Sequence, residues 1–150
     1  MKRVTGIGGI FFKSEDPARL YAWYEKHLGI KVAPDGSAAI FPWSAPLENT
    51  EDSPGGNLSA NAAANSAGMT VWSIFPRSTK YFDPSSSPFM INYCVENLDG
   101  LLEELKKEGV AIDPRREDYD YGRFAWIMDP DGNRIELWEP RSSKPSSSSD

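Results

Sequence analysis

Local signals run through the same order twice along this chain, and a repeat of that kind limits the fold more than any single motif does. The first series opens with an apolar strand pattern from Val4 to Lys13. A helix follows from Ser14 to Leu28, with Leu20, Trp23, Tyr24, His27 and Leu28 at three- and four-residue spacing. Ser14 or Asp16 can cap it, Pro17 suits its first turn, and Gly29 stops it. Short strands at Ile30 to Ala33 and Ala38 to Phe41, then a longer one at Met69 to Phe75, complete the series. The second series has a strand at Phe89 to Val95 and a helix at Asn97 to Glu108, capped by Asn97 and stopped by Gly109. A strand then starts at Val110 to Ile112 and is expected to end before Pro114, with Arg115 to Tyr121 as a polar loop. Last comes a hairpin, Phe124 to Met128 and Arg134 to Trp138, around Asp129-Pro130-Asp131-Gly132-Asn133. Proline, Asp, Asn and a glycine free to take positive φ are turn chemistry.

Each series closes on a strand that runs into proline, VWSIFP at Val71 to Pro76 and IELWEP at Ile135 to Pro140. The repeat predicts an α+β fold of paired βαβββ modules in a single domain, about 1–76 and 88–140, followed by a disordered tail at 142–150. Each module curls a sheet with its helix on one face, and the opposite faces meet around a cleft. Aligning the closing strands sets Trp72 against Glu136, and aligning the opening strands sets Gly9 near Met90. Strict alternation then turns Ile10, Phe12, Ile91, Tyr93 and Val95 toward the helices. It turns Gly9, Phe11, Trp72, Ile74, Met90, Asn92, Cys94, Arg134, Glu136 and Trp138 toward the cleft. The glycines at 6, 8 and 9 allow something to approach the first strand closely. Their spacing does not match a dinucleotide fingerprint.

Composition bounds the partners. A net charge of −6 disfavours nucleic acid and anionic membrane. No apolar run approaches a membrane span, and the short one at the N-terminus does not make a signal peptide. One cysteine, Cys94, rules out an internal disulfide and suits a reducing, cytoplasmic setting. Ser44 to Gly68, rich in Ser, Ala, Asn and Gly, reads as a long loop, either a neutral insertion or a lid.

Three motifs in order, DPARLYAWYEKHLGI at Asp16 to Ile30, VENLDGLLEELKKEGV at Val95 to Val110 and DPDGNRIELWEP at Asp129 to Pro140, resemble the vicinal oxygen chelate superfamily. That group includes glyoxalase I, bleomycin-resistance proteins and extradiol dioxygenases. The resemblance implies a glyoxalase/bleomycin resistance/dihydroxybiphenyl dioxygenase-like fold. It also implies a small-molecule ligand and a homodimer, since clefts in this family are often built between two chains. Metal-dependent members hold a divalent ion with side chains from four strands. Carried over, those positions are Gly9, Trp72, Met90 and Glu136, and only Glu136 is a metal ligand by type. No cofactor is therefore expected.

The leading reading is a protein that binds a small, partly apolar organic molecule in its cleft without the usual metal. Glu136 is its catalytic base or anchor, and Trp72, Met90, Asn92, Arg123, Trp126 and Trp138 contact the ligand. A metal-dependent lyase or dioxygenase, drawing further donors from Asn92, water or a partner chain, is one alternative. A drug-sequestering dimer without catalysis is another. The blander alternative for Glu136 is a carboxylate paired with Arg123 or Arg134, or held by hydrogen bonds from pocket donors. For each tryptophan alone it is ordinary core, and for Cys94 a small buried hydrophobe.

Overall fold

A computed structural model describes residues 2–44 and 68–141. Most of the Ser44 to Gly68 loop and the tail from Ser142 lie outside the described residues. In chain order the elements are β1 (Val4–Ser14), α1 (Pro17–Leu28), β2 (Ala39–Pro42), β3 (Met69–Pro76), β4 (Phe89–Val95), α2 (Leu98–Lys107), β5 (Ile112–Tyr119), β6 (Gly122–Met128) and β7 (Arg134–Pro140). The strands form one seven-stranded sheet in the order β2-β3-β1-β4-β7-β6-β5. β1 and β4, the opening strands of the two modules, pair antiparallel at its centre. Within the modules β1 runs parallel to β3 and β4 parallel to β7.

Both helices start where polar caps allow it. Asp16 accepts from the Arg19 amide at 3.2 Å and Asn97 from the Gly100 amide at 2.9 Å. α1 ends on Gly29, whose φ of 70° is left-handed. Asn97→Ala removes the α2 cap and is expected to lower unfolding free energy by about 1 kcal/mol. Urea denaturation of the two proteins side by side checks this. No change would mean that packing alone holds the first turn.

Two expected strands differ. Ile30 to Ala33 is not a strand. The Ala33 amide donates to Ala38 O at 2.7 Å, so this stretch folds back as a turn while Ile30 packs beneath α1. Module one therefore contributes β1, β2 and β3 among the described residues. In the other module the strand does not stop before Pro114. β5 continues through Tyr119, with an irregularity between Ile112 and Arg116. β5 is an edge strand, where a proline and solvated polar residues are both tolerated.

The helices cover one face of the sheet at its two ends. α2 buries Leu98, Leu101 and Leu102 against Val95, Ala125 and Leu137. α1 packs Leu20, Tyr21 and Tyr24 on Phe12, Trp72 and Ile74, and none of its residues is fully buried. The opposite, concave face carries a third cluster of Phe11, Phe82, Met90 and Trp126. β1 contains two register shifts against β4, between Val4 and Gly6 and between Ile7 and Gly9. These bulges reset which side chains share a face.

Candidate functional site

The concave face is built mainly from β4, β6 and β7. Glu136 is buried at its floor. The parallel register sets Asn92 beside it, and the antiparallel register sets Trp126 on its other side. Asn92 Nδ2 donates to Glu136 Oε1 at 2.7 Å, and Trp126 Nε1 donates to Oε2 at 3.0 Å. Oε2 also accepts a short hydrogen bond from the Tyr81 phenol. All three donors are neutral. Burial pushes the Glu136 carboxyl above the ordinary glutamate range, against the downward pull of these hydrogen bonds and of the Arg134 charge. Burial, and then the Glu136 charge, raises the Tyr81 phenol as well.

Tyr81 comes from the connector between β3 and β4. The motif reading passed it over, because the segment reads as Ser- and Pro-rich turn; its one signal is the aromatic pair Tyr81-Phe82. Phe82 is fully buried in the concave cluster, and Tyr81 stacks on Phe75 with centroids 5.7 Å apart. Arg134 fixes the connector by donating from Nη1 to Tyr81 O at 2.8 Å. Its guanidinium lies 4.8 Å from the Trp126 ring, and it pairs with Asp113 at 3.2 Å. Among the described contacts it does not bond Glu136, so of the two simpler expectations for Glu136, an arginine pair or hydrogen bonds from pocket donors, it is the second that the structure shows.

Met90, Asn92, Trp126, Trp138 and Glu136 share this face. Trp138 stacks on Phe124 with centroids 5.9 Å apart and rings 6° from parallel. What approaches the β1 glycines is the chain itself. A Cβ on Gly8 would lie 2.4 Å from Asn92 Oδ1, 2.7 Å from Cys94 Sγ and 2.9 Å from Trp138 Cε3. Asn92 Oδ1 and Trp138 Nε1 are both buried without a hydrogen-bond partner.

Three residues expected in the cleft, Trp72, Ile74 and Arg123, lie elsewhere. Trp72, like its neighbour Ile74, faces α1, with ring centroids 4.9 Å from Tyr24 and 5.7 Å from Phe12. The step that carries the cap Asp16 onto the cap Asn97 also carries Phe11 onto Asn92. Phe11 is registered with Ser73, and Asn92 with Glu136. The counterpart of Glu136 is therefore Ser73, one residue from the expected Trp72, and one residue exchanges the faces of a strand. Ser73 uses its hydroxyl on Ser37 O at 2.9 Å. Arg123 points to the α2 side, where it meets Asp99 at 2.7 Å, Asp118 at 3.5 Å and Glu139 at 3.6 Å.

The residues do not fit a divalent ion. With the corrected register the four corresponding strand positions are Gly9, Ser73, Met90 and Glu136, and Glu136 is the one carboxylate among them. The N–H and O–H groups of Asn92, Trp126 and Tyr81 point at the one carboxylate, an environment made for an anion. Among the described residues no group of three His, Cys, Asp or Glu could hold a metal. Burial pushes the Cys94 thiol up to about 12, far from a thiolate ligand. His27 sits on α1 against Trp23.

The family model for the Glyoxalase/Bleomycin resistance protein/Dioxygenase superfamily matches residues 6–137. Solved structures share the fold at low identity. Methylmalonyl-CoA epimerase from Mycobacterium tuberculosis is 20% identical with a TM-score of 0.54, over 94% of this chain and 91% of that one. A variant of Streptomyces coelicolor methylmalonyl-CoA epimerase in complex with 2-nitronate-propionyl-CoA is 12% identical with a TM-score of 0.58, over 91% and 98%. A glyoxalase/bleomycin resistance protein/dioxygenase superfamily member from Vibrio splendidus 12B01 is 11% identical with a TM-score of 0.50, over 89% and 97%. No curated protein matches the chain.

Proposed function

Since the chain belongs to the Glyoxalase/Bleomycin resistance protein/Dioxygenase superfamily, we propose that it binds a small, partly apolar organic molecule on its concave face without a divalent metal. The observation that carries this reading is Glu136, a carboxylate buried among aromatic rings and held only by neutral donors. Such an acid is an anchor for a ligand hydroxyl or N–H. The unmatched Asn92 Oδ1 and Trp138 Nε1 supply one further acceptor and one further donor on the same face. The Tyr81 phenol occupies the place on Oε2 that a ligand donor takes, so the connector and the ligand exchange there. Sequestration needs no more than this. Turnover would use Glu136 as the proton acceptor. The reading also has the protein working in the cytoplasm as a homodimer, and the single, buried, unreactive Cys94 is consistent with a reducing compartment.

Tryptophan emission titrated with small aromatic alcohols and phenols tests the proposal. Binding is expected to perturb Trp126 and Trp138. Glu136→Gln is expected to weaken affinity about tenfold, the loss of one charge-assisted hydrogen bond. Tyr81→Phe, which frees Oε2, is expected to tighten it. A panel that leaves the emission unchanged, or an affinity indifferent to Glu136→Gln, would sink the proposal. Glu136→Ala separates the two modes, because turnover falls by orders of magnitude while sequestration by shape persists.

A further inference from the structure

One cation of α1 sits where the helix does not need it. Arg19 lies in the first turn, which holds no acidic residue, although the amide end of a helix favours acids and opposes cations. Lys26 and His27 in the last turn suit the helix dipole, and Arg19 does not. Arg19, Ala22, Trp23 and Lys26 follow one another at three- and four-residue steps and so share one face of the helix. The acid of α1, Glu25, is not on that face. In a chain of net charge −6, two cations with no acid between them form a local patch of the opposite sign.

This face walls a groove of about 630 Å³, bounded on its other side by Ser14 at the end of β1 and by Arg77, which follows β3. Small-molecule sites fall in the same range, roughly 300–1,000 Å³. Glu136, Trp126 and Trp138 take no part in it. Lys13 stands at its edge but turns its ammonium over the Phe82 ring at 5.2 Å. Asp16 is occupied by the Arg19 amide that it caps. Arg77 pairs with Glu15 at 2.9 Å, and both side chains are exposed, so its guanidinium is readily redirected. Arg19 and Lys26 enter none of the described ion pairs. Ala22 between them keeps the wall low. Trp23 is 50% exposed, yet its ring is braced nearly edge-on by Tyr24 at 5.2 Å and by His27 at 4.8 Å. A half-bare indole held on two sides is a preorganised platform for a flat ring.

We propose that this groove binds a nucleoside phosphate, with its base on Trp23 and its phosphates on Arg19, Lys26 and Arg77. Arg19 and Lys26 are separated by about 10 Å along the helix axis, with Trp23 between them. A ligand that uses all three therefore joins a flat ring to negative charge at some distance from it. Inorganic phosphate alone leaves the indole bare, and an uncharged ring alone leaves the cations without a partner. Guanidinium groups suit the phosphate end, because they bond its oxygens through paired N–H groups. The site lies outside the concave face and does not depend on the ligand reading given for it.

Calorimetric titration with ADP at low salt, where exposed charges are least screened, tests the proposal. ADP is expected to bind, and adenosine and inorganic pyrophosphate are each expected to bind about tenfold more weakly or worse. Arg19→Gln and Lys26→Gln, both at exposed positions, are each expected to weaken ADP binding about five- to tenfold with circular dichroism unchanged. Trp23→Ala is expected to abolish the advantage of ADP over pyrophosphate. Should it unsettle α1, Trp23→Phe keeps a ring against Tyr24 and is expected to retain part of that advantage. Glu136→Gln is expected to bind ADP as the wild type does, so failure of this site and failure of the concave one are read separately. A wild type that does not bind ADP at millimolar concentration overturns the proposal. So do pyrophosphate binding as tight as ADP binding, loss of ADP binding in Glu136→Gln, and ADP binding that survives Arg19→Gln combined with Lys26→Gln.

Discussion

Trp126→Ala is expected to lower the free energy of unfolding by about 3–5 kcal/mol, the range for deleting a fully buried large aromatic. Trp126 is 0% exposed and packs in one cluster with Phe11, Phe82 and Met90. Its ring also meets Tyr81 edge to face at 6.3 Å and carries Arg134 against one side at 4.8 Å. The alanine variant therefore opens a cavity and unmoors the connector together. It also withdraws one of the three donors that make a buried carboxylate tolerable. Trp126→Phe separates these effects. It keeps most of the ring contacts and removes only the N–H to Glu136, a hydrogen bond to a charged group worth about 1.5–3 kcal/mol. Urea denaturation should order the proteins as wild type, then Phe, then Ala. Since a domain of this kind has roughly 5–15 kcal/mol in all, the alanine variant is best measured at low temperature. A loss below about 1 kcal/mol for Trp126→Ala would contradict the packing described here. Equal losses in both variants would place the whole effect in the hydrogen bond.

What the sequence makes legible, and what it hides, follows from the range over which each signal acts. The helices were readable because caps are local: Asp16 and Asn97 bond amides three residues away, and Gly29 takes its left-handed φ whatever lies beyond. The β6–β7 hairpin was readable for the same reason, since Asp129 Oδ1 accepts the Asp131 and Asn133 amides within its own turn. Glu136 stood out as a carboxylate between Ile135 and Leu137. Facing in a two-sided strand was not readable. Trp72 is apolar and buried on either face of β3, so polarity cannot show which one it takes, and the register that decides it lies in the Phe11–Ser73 pairing. The β1 bulges are hidden likewise, because an extra residue leaves no mark in the polarity pattern. Edge strand β5 looks like loop because its exposed position permits a polar sequence. Tyr81 reaches Glu136 across more than fifty residues of chain, a pairing that no local pattern announces. The misplacement of Arg123 is of the same kind: its partner Asp99 lies on a helix that is distant in sequence.

The stability of the wild type relative to Glu136→Gln is expected to fall as pH rises above the ordinary glutamate value of 4.5. Burial raises the Glu136 carboxyl in the folded protein, while the unfolded chain keeps its usual value. Across the interval between the two, the folded protein holds a proton that the unfolded chain has lost. Stability tracks protons bound by the unfolded minus the folded state. The contribution of Glu136 is therefore fully present below the unfolded value and is lost as pH climbs through the folded one. Its steepest slope is about 1.4 kcal/mol per pH unit for one group. The other perturbed carboxyls act with the opposite sign and at lower pH. Asp99 is held down by Arg123 and Arg116, Asp113 chiefly by the Arg115 amide, Asp129 by Asn133, Asp35 by Ser37 and Glu108 by Arg3. Their contributions are present above their ordinary values and are lost as pH falls. They are common to both proteins and cancel in the difference. Whatever the Glu136→Gln variant loses by facing the Asn92, Trp126 and Tyr81 donors with an amide offsets the curve without tilting it. Urea denaturation of both proteins at intervals from pH 4.5 upward measures the tilt. A flat difference would mean that Glu136 ionises in the folded protein as it does in water. The neutral donors would then fully compensate its burial, and the carboxylate would be a fixed anion across the working range. A downward tilt would mean that Glu136 keeps its proton above the ordinary glutamate value, and the pH at which the tilt levels off would mark where it becomes able to accept one.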